Sequence, residues 1–234
     1  VDTGMGRQGF PLGSAPTDLQ YLTRISHIDI EGIATHFPVA DQPEDPYTYN
    51  QIKAFKSLLK KLDRFGIPYE MAHAANSAAI INYQDSIFDT VRPGLITYGV
   101  WPGKTPPKSS PLQRVLRWET RVTQVRELEP GSSVGYGRTY TTKSHTKVAI
   151  LPVGYADGYK HALSNRADVL IKGVRCPVRG SVCMDVLVAD VTEAPPVEPG
   201  DVATLIGSDG AECITVEELA WRANTIPYDI LTGI

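Results

Sequence analysis

The sequence predicts an α/β half over residues 1–105, built as the C-terminal half of a (β/α)8 barrel, followed by a β-strand-rich domain over residues 106–234. Three observations predict it. Short apolar runs alternate with helical periods through the first hundred or so residues, the pattern of strand–helix units on a parallel sheet. Trp101–Pro111 then packs four prolines, two lysines, a glycine and two serines into one stretch, the composition of a linker or crossover. Beyond it, runs rich in Val, Ile and Thr are separated by Gly and Pro turns such as Glu129-Pro130-Gly131 and Glu198-Pro199-Gly200, the pattern of an all-β domain.

The chain opens on Val1-Asp2-Thr3-Gly4-Met5-Gly6-Arg7. An apolar entry, a Thr, two glycines and an Arg suit a buried strand turning into a loop, the place where barrels put their chemistry. Pro16–Ile25 reads as a short helix and Ile28–Phe37 as a strand. Asp45–Phe65 has a helical period, with Ile52, Phe55, Leu58, Leu59, Leu62 and Phe65 on one face, lysines opposite and Gly66 as the stop. Tyr69–Ala75 reads as a strand, Ser77–Tyr83 as a short helix and Thr90–Val100 as a strand. Four such units cannot close an eight-stranded barrel, so further strands are expected ahead of Val1.

In the second half, Val115–Arg126, Lys147–Val153, Val169–Ile171, Val178–Val191 and Val202–Ile206 read as strands. One late helix is expected, with Thr215 as N-cap and Glu218 completing a capping box.

Composition narrows the partners. Hydrophobic residues make up 42%, charged residues 21%, and the net charge of the 234 residues is −3 without a basic run. Nucleic acid and anionic membranes are therefore not expected partners, and no apolar stretch approaches a bilayer span. Three cysteines without CxxC spacing, Cys176, Cys183 and Cys213, read as free thiols of a reducing cytoplasm. No metal is expected.

Several residues can carry chemistry. His73-Ala74-Ala75-Asn76-Ser77 ends a strand and starts a helix, an anion seat or an ordinary N-cap. Arg92-Pro93-Gly94-Leu95 places a cation beside a tight turn with accessible amides. These would be the last two strand–helix loops of a barrel, a common phosphate site. His36 closes its strand near Asp41, as a structural hydrogen-bonder or a catalyst. Tyr136, Tyr155 and Tyr228 sit in glycine or turn settings that let a ligand approach, though each taken alone reads as structural first.

Taken in order, VDTGMGRQG, THFPVAD, HAANSAA, VRPGLITYG, VGYGRTY, LPVGYADGY, RGSVCMD and NTIPYDILTGI resemble the alanine racemases, the fold-type III pyridoxal-phosphate family. The resemblance spans nearly the whole chain. It implies a cofactor-holding barrel, a C-terminal β domain and a head-to-tail homodimer with shared active sites. It implies conversion of L-alanine to D-alanine and back, which supplies D-alanine for bacterial peptidoglycan. Tyr136 would be one of two catalytic bases, reaching into the partner subunit's site. The other, the lysine that forms the Schiff base, belongs to a barrel segment outside this sequence. Arg92 would face the pyridine nitrogen, and His36 would link it to Tyr136. Asn76, Ser77, Gly94, Leu95 and Tyr228 would hold the phosphate. Arg7 and Met184 would position the substrate carboxylate, and Asp41, Tyr155 and Ile226 would line the entry corridor. Pro38 stands where the family usually has a small residue.

Two other readings stay open at this point: a racemase for serine or for many amino acids, and a non-catalytic pyridoxal-phosphate-binding fragment.

Overall fold

The computed structural model describes residues 1–103 and 111–234. Two compact units divide it, Val1–Gln113 and Arg114–Ile234. The boundary expected at residue 105 lies outside the described residues, as do two of the four prolines, both lysines and both serines of the linker.

The first unit is built from α1 (Ala15–Leu22), β1 (Gly32–Ala34), α2 (Tyr47–Arg64), β2 (Met71–Asn76), α3 (Ser77–Asn82) and β3 (Thr90–Arg92). The three strands form a parallel sheet in the order β1-β2-β3. The opening residues lie beside β1: Val1 N donates to Ala34 O at 2.6 Å, and the hydroxyls of Thr3 and Thr35 share a 2.7 Å hydrogen bond.

Helix α2 follows its apolar period. Ile52, Phe55, Leu58 and Leu62 are buried, and Phe55 meets Phe88 edge to face at 5.2 Å. Each such side chain contributes about 1.5–3 kcal/mol of burial. Phe65, expected on this face, is 58% exposed instead. It is the C-cap residue, and with Gly66 in the left-handed region it turns away from the core.

The strands are shorter than the sequence predicts. Ile28–Phe37 contributes three ladder residues, Gly32–Ala34; beyond them Thr35 and Phe37 are buried, and Thr35 and His36 line the site cavity. Thr90–Val100 contributes three before Pro93-Gly94 breaks it, and Leu95–Tyr98 coils into a 3₁₀ turn. The first helix stops at Leu22, short of Ile25.

The second unit is antiparallel. Its strands are β4 (Trp118–Arg121), β5 (Gln124–Leu128), β6 (Ser133–Val134), β7 (Tyr140–Thr141), β8 (Thr146–Leu151), β9 (Asp168–Ile171), β10 (Val174–Pro177), β11 (Leu187–Asp190), β12 (Val202–Asp209) and β13 (Glu212–Ile214). One sheet runs β10-β9-β12-β13 with β4 also on β12, another runs β11-β8-β5, and β6 pairs β7. Val115–Arg126 is thus two strands from two sheets. Val178–Val191 is a strand only from Leu187, since Gly180 and the Ser181–Asp185 stretch form a loop.

Two late helices appear where one was expected, α4 (Val216–Arg222) and α5 (Pro227–Leu231). Thr215 does cap α4, accepting from Glu218 N at 3.0 Å. The reciprocal half of the capping box is missing, because the Glu218 carboxylate is taken by Arg175 and Arg222. Among the described residues, no helix is long and apolar enough to cross a membrane.

Candidate active site

The C-terminal ends of three parallel strands and the loop after Thr3 frame a cavity of about 440 Å³ in the first unit. Arg7, Thr35, His36, His73 and Arg92 line it, with Asp2 at the rim.

Arg92 is the centre of this cavity. Its Nη2 reaches Thr35 O at 2.6 Å, Ala74 O at 3.1 Å and His36 Nδ1 at 3.1 Å, and its Nη1 reaches His73 Nδ1. All four acceptors are neutral. Among the described residues, no carboxylate pairs with Arg92 or Arg7. A guanidinium only donates, so each facing Nδ1 is an acceptor and each imidazole carries its proton on Nε2.

The electrostatics agree with that assignment. Burial, then the Arg92 and Arg7 cations, hold His36 below the usual histidine value. Burial and then Arg92 do the same to His73. Arg92 itself is lowered by burial and by Arg7, yet a guanidinium stays charged at neutral pH. The cavity therefore concentrates positive charge and favours an anion.

The loop that brings Arg7 to the rim is folded around Asp2. Its carboxylate accepts from Gly4 N, Met5 N and Gly6 N at 2.8, 2.8 and 2.9 Å. These backbone donors hold the Asp2 carboxyl below the usual carboxylate range.

Beside the cavity, β2 ends in Asn76, whose Oδ1 accepts from Ala79 N at 3.0 Å and whose Nδ2 donates to Phe37 O at 3.1 Å. It is a helix N-cap that also ties down the neighbouring loop. Ser77 Oγ, buried, accepts from Gly94 N at 2.7 Å. The Gly94 amide expected to be accessible is therefore engaged by Ser77. Leu95, buried, starts the adjacent 3₁₀ turn. Asp41, expected near His36, lines a separate hollow with Asn82 and Trp101.

In the second unit, Tyr136 lies in a turn between β6 and β7, with Gly135 and Gly137 on either side in the left-handed region. Its side chain is 78% exposed, and its carbonyl accepts from Ser181 Oγ at 2.9 Å. The same segment places Met184 next to Tyr155: Tyr155 N donates to Cys183 O at 3.0 Å and Ala156 N to Met184 O at 2.8 Å. Lys160 then pairs with Asp229 at 3.2 Å on α5, the helix that carries Tyr228 just after Ile226. Tyr155, Met184, Ile226 and Tyr228 are all exposed. Asp185, read within a strand, is exposed in a bend.

His73, Thr35 and Asp2 were missed as functional candidates. The available signal was a second histidine three residues before the Asn-Ser strand end, and an Asp two residues before a glycine at the mouth.

The family model for the alanine racemase N-terminal domain matches residues 1–102, and that for the C-terminal domain matches residues 115–234. This chain belongs to the alanine racemase family. The alanine racemase of Halothermothrix orenii is 44% identical over all 234 residues, which cover 62% of that protein. The Bacillus anthracis alanine racemase with bound L-Ala-P superposes with a TM-score of 0.92 at 34% identity, covering all of this chain and 60% of that one. The Bartonella henselae alanine racemase, with covalently bound pyridoxal phosphate, superposes with a TM-score of 0.85 at 31% identity over all of this chain and 62% of that one. The chain thus spans about 62% of the length of the curated alanine racemase it matches. The N-terminal domain match falls in the unit holding Arg92, and the C-terminal domain match in the unit holding Tyr136.

Proposed function

We propose that this chain is part of a pyridoxal-phosphate-dependent alanine racemase, which interconverts L- and D-alanine with two bases on opposite faces of the α-carbon. The carrying observation is Arg92: a cation held by two neutral histidines and two carbonyls, facing a cavity whose one carboxylate among the described residues, Asp2, is turned to backbone amides and makes no ion pair with it.

The residues suit the cofactor. Arg92 offers a permanent donor for a pyridine nitrogen. Ser77 Oγ accepts from the Gly94 amide and so keeps its O–H to donate to a phosphate, in a seat that Asn76, Gly94 and Leu95 would shape. Tyr228 would add a phenol to that seat. When bound, pyridoxal phosphate supplies the electron withdrawal that acidifies the substrate Cα–H.

Arg92 gives up its proton too reluctantly to protonate the ring nitrogen. This tempers the withdrawal and favours quick reprotonation over side reactions. Arg7 and Met184 position the substrate carboxylate. Tyr136, exposed on its turn, moves a proton at one face of the α-carbon, acting across a head-to-tail homodimer with His36 joining it to Arg92. The base of the other face is the lysine that the resemblance assigns to a segment outside this sequence. Asp41, Tyr155 and Ile226 line the approach. The product D-alanine would serve peptidoglycan synthesis in the cytoplasm.

The test uses the complete natural protein carrying this chain, loaded with pyridoxal phosphate. It should form D-alanine from L-alanine and the reverse, with serine turned over far more slowly. Absence of racemisation in both directions overturns the reading.

A further inference from the structure

We propose that Gln51 is a positioning residue of the cavity, holding the Arg7 loop and the His36 turn in register from behind; this rests on the racemase reading above. Gln51 lies on the inner face of α2 and is 3% exposed, an unusual burial for an amide. Its Nε2 donates to Thr3 Oγ1 at 3.2 Å and to His36 O at 3.4 Å. The carbonyl of His36 only accepts, so the amide nitrogen must face it. Two segments of the cavity wall that are distant in sequence thus meet on one side chain.

The clamp continues on both sides. Thr3 Oγ1 bonds Thr35 Oγ1 at 2.7 Å, and Thr35 O is the 2.6 Å acceptor for Arg92. One helical turn before Gln51, Tyr47 Oη donates to Gly4 O at 2.8 Å, in the middle of the loop that Asp2 folds. Residues four apart share a helix face, so Tyr47 and Gln51 grip the loop at two points. The Gln51 amide nitrogen bonds Thr3 and the His36 carbonyl, not the Arg7 side chain or the His36 ring. Its action on them is through the backbone that carries them.

The test compares the complete protein with Gln51→Met, which keeps the volume and removes both bonds. The first readout is amide hydrogen exchange, which does not depend on catalysis. Exchange over residues 2–9 should rise roughly tenfold, the size expected for one or two net hydrogen bonds, while exchange in the second unit stays unchanged. The second readout is kinetic: KM for alanine should rise about tenfold with kcat within about threefold, the pattern of lost substrate positioning. Tyr47→Phe, on a partly exposed side chain that folding tolerates, should give a smaller change in the same loop. Unchanged exchange in residues 2–9 for both variants overturns the proposal, as does a fall in kcat at constant KM. Uniformly faster exchange in Gln51→Met leaves Tyr47→Phe to decide by the same loop criterion. If the wild-type protein fails to racemise alanine, the functional reading fails while the exchange data still decide the clamp.

Discussion

Arg92 and His36 are joined through Nη2 and Nδ1 at 3.1 Å, a cation donating to a neutral imidazole. The pair sits at the ends of β3 and β1, two strands separated by β2 in the sheet. The parallel fold brings them together, and nothing local in the sequence does.

Arg92→Lys tests that geometry. The planar fork serves Thr35 O, Ala74 O and two histidines from fixed directions. An ammonium is a point charge on a flexible stem and cannot reproduce the fork. Steady-state kinetics on the complete protein should show kcat/KM down by about a hundredfold, roughly 2.7 kcal/mol of transition-state stabilisation, with cofactor binding weakened as well.

The two histidines predict an acid-side loss of stability. Burial and the neighbouring Arg92 hold both His36 and His73 below the histidine value in the folded state. As pH falls through the unfolded value near 6.5, the unfolded chain takes up protons first and unfolding is favoured. The loss continues until pH passes below the folded values, then levels off. Melting curves between pH 8 and 5 should show this slope, and His36→Asn with His73→Asn should flatten it.

Arg175 organises the second unit. It pairs with Glu212 at 2.6 Å, Glu218 at 2.8 Å and Asp168 at 3.5 Å, and donates to Cys213 O at 2.5 Å. The bonds to Glu218 and Glu212 raise its guanidinium above the usual arginine value. Arg175→Ala leaves Asp168 and Glu218 paired with Arg222 and takes from Glu212 its ion-pair partner. Partial exposure limits the penalty to about 2 kcal/mol. Differential scanning calorimetry should find Tm lower by roughly 5 °C.

Gly154 holds Tyr155 against the Cys183–Met184 segment. A Cβ at this position would collide with the carbonyl oxygens of Cys183 and Met184, both backbone atoms that cannot swing away. Gly154→Ala should cost about 2 kcal/mol through the backbone shift it forces, read as a lower chemical-denaturation midpoint. Activity should fall further than stability explains, since Tyr155 and Met184 move with that backbone.

The long helix was legible in the sequence because eighteen residues of α2 keep one period. The β domain was legible from its Val-, Ile- and Thr-rich runs between Gly and Pro turns. Strand ends were not, because Thr35, His36 and Pro93-Gly94 serve the site rather than the ladder. Gln51 was hidden for a related reason: a polar residue next to Asn50 reads as solvent-facing, and only the fold shows what lies opposite it. His73 was hidden as one polar residue among strand alanines. The bonds of Arg175 to Glu212 and Glu218 could not be read from sequence, since these carboxylates lie 37 and 43 residues away along the chain.

The most direct measurement of the central claim is isotope wash-in. The complete protein, with pyridoxal phosphate, is incubated with L-alanine in D₂O, and the α-carbon deuterium content of each enantiomer is followed. The account predicts deuterated L- and D-alanine approaching equal amounts, and a loss of at least about a hundredfold in Tyr136→Phe, the size of one general acid–base contribution. No α-deuterium in either enantiomer, or wild-type rates in both directions for Tyr136→Phe, would contradict it.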